Sequence, residues 1–440
     1  MKRSTYFIVF FLFNFLLFSE QDKDKAVPDF LDTAHYHLDD HRKIFLSEDD
    51  NIPDTSQFSS FEEAEKYYKS ALENGNYSAA FYLGYLYDQN SMEEKSLKYY
   101  KIAAEKGIIS AMLNLGRYYC LKEDFGQSEK YYKMAADLGN VMGITGLGYL
   151  HASKGETELA KENFLIAAEW NDPNAAKSLG DMFFAEKDYN STEKYYKWAF
   201  DLNYPNGEVL LGEFYYMTGQ KELSEKYLKI GADSKKSLSI YTLGKFYLKE
   251  KKYELSDEYF MILKKTDEFL FNQFIREIIS GYIFAGEYGF AEKYLKFGID
   301  TGDVAAMFLL GSLYQETGNI KLAEKYLKMS IDKGFYAAYF NLGQVYAEKK
   351  DYKLAEKYLK MVLNENTDTY YVLGMLYEEQ GKKELAEEYY KKGVEHGNSN
   401  AMLRLGIFYF NEKKKDLGIF YIQMAGHAGN LEAKKFLNLN

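Results

Sequence analysis

The sequence predicts an all-α protein, an α-solenoid of about eleven helix-turn-helix units of roughly 32 residues each. Three observations carry that expectation. Glycines recur at Gly84, Gly116, Gly148, Gly180, Gly212, Gly244, Gly281, Gly311, Gly343, Gly374 and Gly406, mostly 32 residues apart. A fixed period of this size marks stacked supersecondary units, none of which buries its apolar faces alone. Small and aromatic residues keep constant offsets from each glycine. Finally, 440 residues contain only four prolines, few enough for helix throughout.

Taken in order, residues 1–19 read as a signal peptide. Lys2 and Arg3 precede an apolar run from Tyr6 to Phe18, and polar "EQDKDK" follows. The run is shorter than a membrane span needs, and its order is that of an export signal. The alternative is an uncleaved anchor. After signal removal no segment is apolar enough to span a membrane. Residues 20–57 form an acidic leader with two of the prolines, Pro28 and Pro53. His37 and His41 share a helical face there at i, i+4 spacing. No Cys and no firm third ligand joins them, so the leader reads as solvated and no metal site is assigned. Cys120 is the only cysteine, which leaves no internal disulfide.

From residue 58 to 437 the units share one grammar. A small residue lies five before the glycine in many units (Ala79, Ala111, Ala306), and an aromatic follows three after it (Tyr87, Tyr119, Tyr346). Another small residue lies twelve after it (Ser96, Ser128, Ala323), followed by pairs such as Tyr99-Tyr100 and Tyr326-Leu327. Spacings of three, four and seven make single helical stripes. One unit is therefore two amphipathic helices, with small residues where the axes approach and aromatics between them. Gly107, Gly139, Gly334, Gly397 and Gly429, with Asn171, Asn203 and Asn366, lie 23 after the repeat glycine and read as left-handed terminators. Pro173 and Pro205 open the helices that follow. The step from Gly244 to Gly281 is 37 residues. That predicts an irregular unit near 263–301 with a lengthened helix and a bend. "FEEAEKYYKSALENG" and "LEAKKFLNLN" read as a lone second helix and a first-helix stub that cap the array.

This pattern, A-x-x-x-L-G-x-x-Y followed by small-x-x-x-aromatic-x-x-A, resembles the tetratricopeptide family. The endings "YYKIAAEKG" and "YYKMAADLG" resemble its Sel-1-like branch. The units are shorter than the usual tetratricopeptide length and lack its late proline, and the lone cysteine departs from the disulfide-stapled Sel-1-like proteins. The resemblance implies a right-handed superhelix whose concave groove is lined by the first helix of each pair. It also implies partner contacts from residues three before and one after the glycine. From those positions Phe81, Tyr85, Tyr149, Tyr241, Tyr282, Phe308, Phe340 and Tyr371 are the expected partner-binding residues.

Composition narrows the function. A net charge of −11 and a pI near 5.3 argue against a nucleic-acid partner. "GITGLG" at 143–148 has the glycines of a phosphate loop in the wrong order and no preceding strand. His151 falls at the position of an inter-helix aromatic, and His396 in the last turn of a helix. No catalytic triad or metal-protease motif occurs, so the chain reads as a non-enzyme without cofactor. The expectation is an exported scaffold, in the periplasm, envelope or extracellular space, that holds a protein or peptide through an aromatic groove. Two alternatives remain: a glycan- or cell-wall-binding accessory protein, since rings also stack on sugars, and a secretory-pathway adaptor, since Asn76 and Asn190 begin glycosylation sequons.

Overall fold

A computed structural model of the chain describes residues 52–363 and 365–437. The expected signal peptide, most of the leader and the His37/His41 pair lie outside the described residues. Among the described residues the regular structure is helical. The chain divides into two compact units, 52–247 with 258–266, and 248–257 with 267–437.

In the first unit the helices are α1 (Phe61–Glu73), α2 (Ser78–Gln89), α3 (Glu93–Glu105), α4 (Ile109–Leu121), α5 (Phe125–Asp137), α6 (Val141–Ser153), α7 (Thr157–Glu169), α8 (Pro173–Ala185), α9 (Tyr189–Asp201), α10 (Gly207–Met217), α11 (Lys221–Asp233) and most of α12 (Ser237–Lys249). Helix α13 (Tyr253–Thr266) is shared between the units. The second unit continues with α14 (Glu268–Ala285), α15 (Tyr288–Asp300), α16 (Val304–Glu316), α17 (Ile320–Asp332), α18 (Ala338–Glu348), α19 (Tyr352–Lys360), α20 (Asp368–Glu379), α21 (Lys383–Glu395), α22 (Ser399–Asn411), α23 (Lys415–His427) and α24 (Leu431–Phe436). Even-numbered helices are the first of each pair. Within each unit consecutive helices pack against each other, as an α-solenoid requires.

The repeat glycines explain the close packing. A Cβ on Gly84 would come within 2.6 Å of the Tyr100 ring, and one on Gly116 within 2.7 Å of Tyr132. Gly148 meets Phe164, and Gly343 meets Leu359, in the same way. Each contact runs sixteen residues forward, from the middle of a first helix to the large side chain of its partner. Any side chain at the glycine would push the two axes apart. The small residue twelve after the glycine closes the same interface. Ser128 Oγ donates to Gly116 O at 2.8 Å, and Ser224 Oγ to Gly212 O at 2.7 Å.

Ring pairs hold the outer edge of most helix pairs. Tyr87 stacks on Tyr99 at 5.5 Å, Tyr119 on Tyr131 at 5.8 Å, Phe183 on Tyr195 at 5.3 Å and Tyr346 on Tyr358 at 5.4 Å. The same first-helix tyrosine also ties its repeat to the one before. Tyr215 Oη donates to Glu193 at 2.8 Å, Tyr314 Oη to Glu292 at 2.7 Å and Tyr409 Oη to Glu387 at 2.8 Å, each 22 residues back. Those glutamates also pair with a lysine one turn on, as Glu292 does with Lys296 at 2.6 Å. Where Phe183 has no hydroxyl, the residue 22 back is Lys161, whose ammonium lies 4.8 Å from the ring centroid. The joint changes from hydrogen bond to cation–π contact with both partners replaced together.

The turns agree with the expected terminators in most places. Gly107, Gly139, Gly334, Gly397 and Gly429, with Asn171 and Asn203, have positive φ. Asn366 differs. Helix α19 stops at Lys360, and Asn366 Oδ1 instead accepts from the Asp368 amide at 2.9 Å, so it serves the start of the next helix. Pro173 opens α8 with Asp172 as its cap. Pro205, expected to open a helix, precedes α10, which begins at Gly207 after Asn206 in a left-handed conformation. The irregular unit contains the lengthened helix, since α14 runs for 18 residues. Helix α1 is the lone second helix, capped by Ser60 Oγ on the Glu63 amide at 3.2 Å. Helix α24 is the first-helix stub.

Candidate protein-binding surface

The first-helix face is built from side chains on α2, α4, α6 and α8 in one unit, and on α16, α18, α20 and α22 in the other. Repeat geometry decides which of them reach the surface. Five of the eight expected contact residues are buried: Phe81, Tyr241, Tyr282, Phe308 and Phe340. Phe81 lies 5.8 Å from Tyr100, Tyr241 6.1 Å from Phe260 and Phe308 5.0 Å from Phe335. Tyr282 stacks between Phe290 and Tyr294, at 5.0 and 5.5 Å. Phe81, Tyr241, Phe308 and Phe340, three before their glycines, and Tyr282, one after its own, are turned toward neighbouring helices and fill the core. Tyr85, Tyr149 and Tyr371 are half-buried and keep a surface.

A polar row accompanies those three rings. In the first unit, Asn114 and Arg117 lie close enough to Tyr100, and Arg117 to Tyr132, to favour the ionised phenols. Burial, the dominant effect, still pushes both phenols up, so they remain neutral. Tyr149 Oη lies 3.0 Å from Ser178 Oγ on the next first helix. Three residues further along α8, Asp181 accepts from Tyr196 Oη at 2.8 Å and pairs with Lys177 at 2.5 Å. Burial raises the Asp181 carboxyl above its usual range against the pull of Lys177 and Tyr196. The 19% of the Asp181 side chain still exposed is what faces the surface.

The second unit repeats this plan with other residues. Asn341 Nδ2 donates to Ser312 Oγ at 3.1 Å. Tyr390 Oη donates to Glu378 at 2.6 Å. Arg404 lies near Tyr371, Tyr390 and Glu378. The position two before the glycine, which supplies Asn114, Ser178, Asn341 and Arg404, was missed from sequence. Its signal was available: polar residues recur there in an otherwise apolar helix. Among the described residues the three arginines, Arg117, Arg276 and Arg404, all stand on first helices.

No group of acidic, histidine or cysteine side chains suited to a metal occurs among the described residues. No described helix is long and apolar enough to cross a membrane. Gly143 and Gly148 of the glycine-rich stretch are buried in α6, where a Cβ on Gly143 would meet Ala136 N at 2.6 Å. Packing accounts for both.

These features define a helix-pair repeat scaffold, a class of protein that commonly works by holding other proteins. Tetratricopeptide-repeat models match residues 308–370 and 367–395. Over those residues the chain is similar to the tetratricopeptide-repeat family. Similar solved structures include a Sel1 repeat protein from Oxalobacter formigenes, at 22% identity over 47% of this chain and 100% of that one, with a TM-score of 0.35. MamA from Desulfovibrio magneticus RS-1 is 19% identical over 36% of this chain and 94% of its own, with a TM-score of 0.31. The hetero-tetramer Cut9–Hcn1 of APC/C gives 14% identity over 86% and 93%, with a TM-score of 0.33. No curated protein matches the chain significantly.

Proposed function

We propose that this protein is an exported, non-catalytic scaffold that captures a polypeptide segment on its first-helix face. The carrying observation is the row of half-buried rings and polar donors there: Tyr85, Asn114, Arg117 and Tyr149 in one unit, and Asn341, Tyr371 and Arg404 in the other. Tyrosine and arginine combine large contact area with directional donors, which is why they dominate binding energy at interfaces. The phenols offer neutral hydrogen bonds, and the guanidinium forks suit main-chain carbonyls or a carboxylate. Export rests on the order of the first 25 residues, basic, apolar, then polar.

Two measurements test the reading. The mature protein is captured from its producing cells with and without the substitutions Arg117→Ala, Tyr149→Ala, Tyr371→Ala and Arg404→Ala, with soluble glycans as a control. The expected result is a stoichiometric protein lost with the variant while helicity and melting persist. A partner retained at full level removes the first-helix face from consideration, and glycan binding without a protein partner favours the accessory-protein alternative. N-terminal sequencing of the exported form should begin at Glu20.

A further inference from the structure

The outer surface of one second helix departs from all its neighbours of the regular pattern. In six repeats a lysine fourteen after the glycine holds its ammonium over the ring of the next residue, as Lys130 does over Tyr131 at 5.1 Å and Lys194 over Tyr195 at 5.0 Å. The two other pairs nearest in the chain are Lys98 with Tyr99 and Lys226 with Tyr227. In α7 both residues are replaced, by Glu162 and Asn163. The ring that would stack from α6 is replaced as well, by His151, whose Nδ1 lies 2.6 Å from Glu156 instead. No aromatic pair covers the outside of this repeat.

What remains uncovered is a stripe. Leu159, Asn163, Ile166 and Trp170 are spaced four, three and four residues apart, one face of a helix. Leu159 is 46% exposed, Ile166 39% and Trp170 58%. Beside it runs a second stripe, Glu158, Glu162 and Glu169, each one residue earlier and each exposed. Glu158 reaches only Lys161, at 3.4 Å, and Lys161 is closer to Glu186 at 2.7 Å.

We propose that this face of α7 docks a basic amphipathic helix of a partner protein. Apolar residues at i, i+3 or i+4 and i+7 of that helix pack on Leu159, Ile166 and Trp170, and its lysines or arginines meet Glu158, Glu162 and Glu169. Charge selects the occupant. A second copy of a chain with net charge −11 approaches this stripe against repulsion, and so does an anionic lipid surface. The site is on the second helices, separate from the first-helix surface proposed above, and does not depend on it.

The chain has two tryptophans, so Trp198→Phe leaves Trp170 as the sole reporter. Trp198 stacks on Tyr195, and phenylalanine keeps that ring. The full chain carrying this change is titrated with a synthetic helix of leucines and lysines, about 18 residues, long enough to hold helix. A control peptide carries glutamate at every lysine. The expected result is a saturable blue shift of Trp170 emission with the lysine peptide only, weakened by salt. Adding Glu162→Lys and Glu169→Lys, both at exposed positions, should weaken binding on the order of tenfold or more with helicity unchanged. An absent blue shift overturns the proposal, as does a lysine peptide bound equally well by the charge-reversed variant. Sedimentation of a dimer that excludes the peptide would assign the face to a second copy. A blue shift with anionic vesicles and none with the peptide would assign it to membrane.

Discussion

The repeat of α18 and α19 and the repeat of α6 and α7 keep the same interior and differ outside. Both hold their axes together through a glycine against a large side chain, Gly343 on Leu359 and Gly148 on Phe164. Outside, Tyr346 stacks on Tyr358 within 5° of parallel and donates to Glu324 at 2.8 Å. Glu324 also takes Lys328 at 2.7 Å and Lys349 at 2.6 Å. In α6 and α7 the ring pair is replaced by His151 and Asn163, while the glutamate–lysine pair persists as Glu129 and Lys133. The difference separates two layers of the repeat. The glycine contact is obligatory, because a side chain there would push the axes apart. The ring pair and its bond to the carboxylate add stability that one repeat does without, which leaves that repeat's surface free for other use.

The largest effect should come from the obligatory layer. Gly116→Val drives a branched side chain into the Tyr132 ring and should cost about 3 kcal/mol, measured by urea or thermal unfolding. Gly126→Ala in the following helix has no neighbour nearer than 3.9 Å and should gain about 0.5–1 kcal/mol through backbone entropy. Equal effects at the two glycines would end the distinction between layers.

Next in size is the exchange of outer layers. Tyr346→Phe removes the hydroxyl that meets Glu324 and should cost about 1 kcal/mol. The double change His151→Tyr and Asn163→Tyr should rebuild the stack in α6 and α7 and gain about 1 kcal/mol. Its hydroxyl would find Glu129, which stands 22 residues back and already pairs with Lys133 at 2.6 Å. A loss of stability on adding both tyrosines would show that the outer face of α7 is shaped by something other than the missing pair.

The smallest effect per residue is the pH response of the carboxylates. Hydrogen bonds from lysine first, then from tyrosine, hold Glu65, Glu193, Glu292 and Glu387 below the usual range, and a second lysine takes Glu324 down to about 2. A carboxyl whose folded pKa is lowered stabilises the fold above its unfolded pKa and loses that contribution as pH falls through the folded value. Stability should therefore decline from about pH 4.5 towards pH 2, by a few tenths of a kcal/mol per joint, because these pairs are partly exposed and screened. Glu324→Gln should flatten the decline at its low-pH end. An acid limb unchanged by that substitution would remove the joint from the account.

Much of this was legible in the sequence because a repeat states its rules eleven times. The glycine, the small residue twelve on and the aromatics between them recur in register, and each has the packing role its size and spacing imply. The site was less legible. Phe308 and Tyr371 occupy the same offset from their glycines, yet one is core and the other is surface. Helical periodicity names a face but not what the next repeat lays over it. Pro205 and Asn366 misled for a related reason. Their local preferences were read correctly, but the helix ends moved, so each residue serves the neighbouring turn.

The left-handed turns show the division from the other side. Gly155, Gly219 and Gly381 fill the turn between paired helices, and Lys187, Lys251 and Lys350 fill it elsewhere with the same positive φ. Lysine has no preference for that conformation, so tertiary packing of the two helices imposes it. The sequence by itself determined the helix pairs, their period and the glycine-to-ring contacts, because those follow from side-chain size at fixed spacing. Only the tertiary structure decided which rings are core, which polar residues line the first-helix face and that α7 lies bare outside. Those depend on how one repeat covers the next, and coverage is a property of neighbours in space.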